Sequence, residues 1–178
     1  MSENKSSTLP ENPSLLRGLL LAAAILIFLV MVVGNVVRAS DASLACPDWP
    51  TCYGQLGIPA GLQAQIQVAH RALALLAGVL IGAAALWAGL KRPRSGWVAT
   101  PLALAAMVML VEAGLGGVGV LNGSALLLAP IHLVLAMLAF GLVMVAAVTS
   151  FWLPRVVAPR FASPFARLTI AATVGVFA

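Results

Sequence analysis

The sequence predicts an all-α membrane protein, a four-helix transmembrane bundle followed by the start of a fifth helix. Three observations lead there. Hydrophobic residues make up 62% of the 178-residue chain, charged residues only 8%, and mean hydropathy is +1.06. A soluble domain carries about 25% charged residues, so this chain could not cover its own surface in water. Four apolar runs, near residues 19–37, 65–90, 97–121 and 126–153, each approach or exceed the roughly 20 residues with which a helix crosses the hydrocarbon. The basic residues lie at the ends of these runs rather than in one stripe. The net charge of +5 therefore reflects membrane flanks and argues against a nucleic-acid partner.

Taken in order, residues 1–16 begin with "MSENKSSTLPENPS" and read as a polar tail. The first apolar run exceeds a signal-peptide core of about 7–15 residues and is read as a retained span. Residues 38–64 form a loop, and residues 17–153 together make the bundle. The short connection "NGSA", residues 122–125, joins the third and fourth spans. Residues 154–178 hold a loop and a fifth run from about Phe165, too short to cross a bilayer, so the natural protein is expected to continue.

Orientation follows from charge. Lys5, Arg17, Lys91, Arg92, Arg94, Arg155, Arg160 and Arg167 lie at one set of span ends, and only Arg38 and Arg71 lie at the other. By the positive-inside rule the N-terminus is cytoplasmic, and the 38–64 loop and "NGSA" face outward.

The stretch "LACPDWPTCYGQ", residues 44–55, places both cysteines of the chain in the outer loop. On an oxidising face, Cys46 and Cys52 can form and keep a disulfide. Pro47 and Pro50 restrict the loop. Two readings stay open here, a structural staple and a redox-active pair in a small, reducible ring. Two thiolates without a nearby histidine make a poor metal site.

The two histidines, His70 and His132, both fall inside apolar runs. Each lies about 5–7 residues into a span running from outside to inside, a depth of roughly 9 Å. Two imidazoles at matched depth on co-directional helices suit a haem iron coordinated from both faces. An ion or proton site, or a pair of interhelical hydrogen bonds, are the other readings. Gln67 shares a helix face with His70. Glu112, the one acid within a complete span, lies near the same depth. It could orient an imidazole, carry a proton, or sit neutral between helices. Arg38 and Arg71, at outer helix ends, could meet haem propionates or snorkel to headgroups. The stretch "GLGGVG", residues 114–119, has the spacing of a dinucleotide loop but no preceding strand, and reads as close helix packing.

Across residues 17–153 these motifs, in order, resemble the N-terminal half of the haem A synthase family, bacterial type. "VVGNVVRASDASLACPDWPTCYGQ" is similar to the first helix end and outer loop of that family. "QVAHRALALLAG" is similar to its second-helix histidine motif, commonly E-x-x-H-R. "VEAGLGGVGVLNGSALLLAPIHLVLAMLAF" is similar to its third and fourth helices. The resemblance implies two similar four-helix halves in the cell membrane. This one would receive haem O as substrate at His70 and His132, and haem b would sit in the second half.

It implies oxidation of the haem O C8 methyl to the formyl group of haem A for terminal oxidases. Haem O synthase, an electron donor and a homo-oligomer are the partners in view. It also implies a Cys46–Cys52 disulfide, with a role in haem transfer. Two departures stand out. The acid three residues before the first histidine is Gln67 here, and the glutamine of the third helix is Glu112, as if the carboxylate had moved to the neighbouring helix of one pocket. Gln67 and Glu112 are thus the catalytic candidates. The alternatives are a non-enzymatic bis-histidine cytochrome b-type electron carrier and a haem-handling membrane protein.

Overall fold

A computed structural model describes residues 13–90 and 96–152. It contains α1 (Pro13–Ala39), a single 3-10 turn η1 (Ala42–Leu44), α2 (Leu62–Leu90), α3 (Gly96–Leu121) and α4 (Ala125–Trp152). All four α-helices are long and apolar enough to cross a membrane. Most of the polar tail, the cluster Lys91, Arg92 and Arg94, and the 154–178 segment with its fifth run lie outside the described residues.

The helices start earlier than the apolar runs do. α1 begins at Pro13, six residues before the predicted span, so residues 13–16 belong to the helix rather than to the tail. Proline is accommodated in a first turn, where its missing N–H has no intrahelical partner. Leu16 is already buried there, against Ala146 and Ala147 of α4. α2 begins at Leu62, after Gly61 at φ +94°, where a side chain would be strained. Arg71 is therefore the tenth residue of its helix, not an outer-end residue.

Between α3 and α4 the turn is a Schellman motif. Ser124 N–H donates to Gly119 C=O at 2.8 Å, Gly123 N–H donates to Val120 C=O at 3.1 Å, and Gly123 takes φ +64°. The helices then cross closely, since a β-carbon at Gly119 would lie 3.1 Å from Ala125 Cα. The small-residue reading of "GLGGVG" holds at this point.

Each helix packs on its chain neighbours, and α4 closes on α1, so α2 and α4 stand diagonally. The core is made largely of alanines that let backbones approach, with Leu20, Ile27, Ile81, Leu102 and Val143 filling the spaces. At the end away from the cysteines, Arg17 Nε donates to Ser150 C=O at 3.1 Å, and its guanidinium lies 5.1 Å from the Phe151 ring centre. That contact locks α1 to α4 there.

Candidate haem-binding site

The two histidines face each other across the bundle. His70 is the ninth residue of α2 and His132 the eighth of α4, so antiparallel threading brings them to one level. Their ring centres are 6.5 Å apart, with planes at 65°. Gly34 of α1 makes the space, for a β-carbon there would stand 3.0 Å from His70 Cε1. Gly116 of α3 faces the other ring more loosely, its β-carbon position 3.9 Å from His132 Cε1, an ordinary van der Waals contact.

Glu112 of α3 is buried and places Oε2 3.2 Å from His132 Nδ1. This is a close polar contact whose angle falls short of a hydrogen bond, and Glu112 Oε1 has no partner. Gln67 is buried on the same face as His70. Its Nε2 donates to Ser43 C=O at 2.9 Å, while Oε1 is unpartnered. Both Nδ1 atoms of the histidine pair are likewise buried without a hydrogen bond. So many unsatisfied polar atoms around one cleft mark a place shaped for something other than apolar packing.

That cleft is lined by Gln67, His70, Glu112 and His132, and by Asn35 and Arg38 at the end of α1. Arg38 is exposed at its rim. Arg71 is not among the lining residues. Its Nη1 donates to the carbonyls of Asp48, at 2.9 Å, and of Thr51, with a longer contact to Pro50. The side chain thus holds the cysteine loop rather than the cleft, a contact between distant segments with no local sequence pattern behind it.

The loop is a built unit. Cys46 and Cys52 form a disulfide, both sulfurs buried against Ala64 and Val68 of α2. Asp48 accepts from Tyr53 N–H at 2.6 Å, from Gly54 N–H at 2.8 Å and from the Thr51 hydroxyl. Chiefly through the Thr51 hydroxyl and then the Gly54 amide, these bonds hold the Asp48 carboxyl below its ordinary pKa. Trp49 reaches down onto α3, where a β-carbon on Gly117 would lie 3.1 Å from its Cδ2. Only a glycine leaves that room.

The spacing of the two imidazoles suits haem. Metal–imidazole bonds of ~2.0 Å on both sides of an iron, with a ring radius of ~1.2 Å, put ring centres ~6.4 Å apart. The observed 6.5 Å fits. Among the described residues no three His, Cys, Asp or Glu side chains cluster as a metal site. A porphyrin, which brings four nitrogens of its own, needs only the two imidazoles.

Residues 17–68 match the COX15-CtaA family, described as cytochrome oxidase assembly protein. A haem A synthase of Lysinibacillus sphaericus is 32% identical over 130 residues, covering 68% of this chain and 40% of that protein. A haem A synthase of Bacillus licheniformis is 25% identical over 130 residues, 72% of this chain and 43% of that protein. A protein named protoheme IX farnesyltransferase 1, from Natronomonas pharaonis, is 35% identical over 134 residues, 72% of this chain and 26% of that protein. The chain spans less than half the length of each of these relatives.

Proposed function

Because this chain belongs to the haem A synthase family through its N-terminal portion, we propose that its cleft takes haem O as substrate and holds it while the C8 methyl becomes a formyl group. The observation that carries the proposal is the pair of imidazoles, 6.5 Å apart on diagonal helices. His70 and His132 are the ligands, one from each face. Arg38, at the rim, meets a propionate.

The change is two successive hydroxylations of one carbon followed by loss of water, with dioxygen as the oxygen source and an external donor of electrons. When bound, the iron porphyrin supplies the redox chemistry, and the protein supplies position and charge. A centre gripped on both faces has no free position, so one imidazole must withdraw or the oxidant must act from elsewhere. His132 is the one placed to withdraw, with 34% of its side chain exposed. Glu112 Oε2, 3.2 Å from its Nδ1, is placed to accept a proton from that nitrogen once the ring turns and to guide the ring's return. Gln67, tied to Ser43, steadies the loop end of the same helix face.

In this reading the N-terminus is cytoplasmic, the disulfide loop faces outward, and haem b belongs to a second half. The relative named protoheme IX farnesyltransferase supports a prenylating enzyme as the source of the substrate. Pigments extracted from membranes that coexpress the full-length protein with a haem O source test the proposal. Formyl haem is the predicted product. Unmodified haem alone would leave an electron carrier or a haem-handling protein in its place.

A further inference from the structure

The cleft is open along one side. In one half of the bundle α1 and α4 are in contact. Leu16, Leu20 and Ile27 are buried with Val143, Ala146 and Ala147. In the half that carries the histidines, Val37 is the last buried residue of α1, and none of α4 from Ala125 to Leu138 is buried. The α2 and α3 residues lining the cleft, among them Gln67, His70, Glu112 and Gly119, are all buried or half-buried. Its exposed lining residues are Asn35 and Arg38 on α1 and Leu133 on α4. The opening therefore lies along the α1–α4 seam.

The other way in is covered. The turn η1 packs on α1, α2 and α4. Ser43, its middle residue, is pinned by Gln67, and Trp49 is seated on α3. Arg71 and the disulfide fix that roof in place. A ligand coming straight from water would have to lift it.

We infer that the porphyrin reaches the His70–His132 cleft sideways from the bilayer, between α1 and α4, and stays seated with its isoprenoid tail lying along that seam. This rests on the functional reading above and adds the route and the orientation. The seam is polar at its loop end, at Arg38 and Asn35, and apolar below, at Val30, Met31, Leu133 and Ala136. Such a gradient fits an amphiphile that partitions into membranes, carboxylates toward the loop and tail toward the midplane. A tail in the seam also occupies lipid-facing surface that the two helices leave unfilled.

The test uses the full-length protein in phosphatidylcholine nanodiscs, with uptake of haem O from vesicles followed by the absorption of the bis-imidazole complex. Ala136→Trp, which fills the seam, is predicted to slow uptake about tenfold, a typical consequence of overpacking a close-fitting gap. Leu76→Trp, on the exposed face of α2, is predicted to leave the rate unchanged. Wild-type rates for Ala136→Trp would overturn the route. Should that variant fail to insert, a haem O analogue with a photoreactive tail decides the matter on the wild-type protein. Adducts on α1 near Met31 and on α4 near Ala136 support the seam, and adducts confined to α2 or α3 overturn it. A wild-type protein that takes up no porphyrin at all would instead overturn the functional reading, and this route with it.

Discussion

Glu112 on α3 and His132 on α4 meet at 3.2 Å, carboxylate oxygen to imidazole Nδ1, inside the half of the bundle that holds the cleft. The contact joins two helices that also cross closely at Gly119 and Ala125. A carboxylate behind a ligating imidazole fixes the ring's tautomer and orientation, and such partners typically account for 10–100-fold in affinity. Glu112→Ala is accordingly predicted to lower haem retention by about tenfold or more. Glu112→Gln keeps an acceptor for the imidazole N–H and should retain most of the haem while changing the position of its absorption bands. Haem per protein and the reduced spectrum in purified membranes check both. Full retention and an unshifted spectrum in the alanine variant would remove Glu112 from the site.

Gly34 makes a separate prediction. A side chain there meets His70 from 3.0 Å onward. Gly34→Ala forces a shift of a few tenths of an ångström, and Gly34→Val a rotation of the imidazole, at an overpacking cost of about 1–3 kcal/mol. The valine variant should insert normally and lose haem much as His70→Ala does, with alanine intermediate. Spectra and membrane levels measured together separate the two effects.

The four helices, their order and the matched depth of the histidines were legible in the sequence, because hydropathy and the rise of a helix set them directly. Glu112 could be placed at the right level but not against a particular histidine, since which of two imidazoles it meets depends on helix rotation. Arg71 was misjudged for a physical reason. α2 starts at Leu62, below an apolar run that begins later, so the guanidinium lies under the loop and bonds its carbonyls. The seat of Trp49 on Gly117 and the space Gly34 leaves for His70 are approaches between distant segments. No local pattern announces them, although the glycines themselves were visible.

Arg71 leads to a prediction about the disulfide. With its Nη1 bonded to loop carbonyls, the side chain contributes about 1.5–3 kcal/mol to holding the loop down, the usual scale for a hydrogen bond to a charged group. Arg71→Ala should expose the Cys46–Cys52 bond and speed its reduction by a water-soluble phosphine at least several-fold, read by maleimide labelling. An unchanged rate would mean the sulfurs are shielded by Ala64 and Val68 alone.

Acid should release the same loop, and the sign follows from Asp48. Its ionised form accepts the bonds from Thr51, Gly54 and Tyr53, so its pKa is lower in the folded loop than the ordinary ~3.9. The stabilisation is present above the ordinary value and is lost as pH falls through the lowered one. Phosphine reduction of the disulfide should therefore stay slow at mildly acidic pH and accelerate only below that ordinary range. Asp48→Asn should react faster at neutral pH and show a flatter profile.

The most direct measurement is haem content, with the strength of the low-spin bis-imidazole signal, in purified full-length wild-type protein, His70→Ala and His132→Ala. One iron clamped between two rings that belong to different helices predicts that each single substitution empties the same site. Both variants would then lose the same share of haem and of signal while reaching the membrane at normal levels. Undiminished haem and signal in both would show that these imidazoles never shared a ligand.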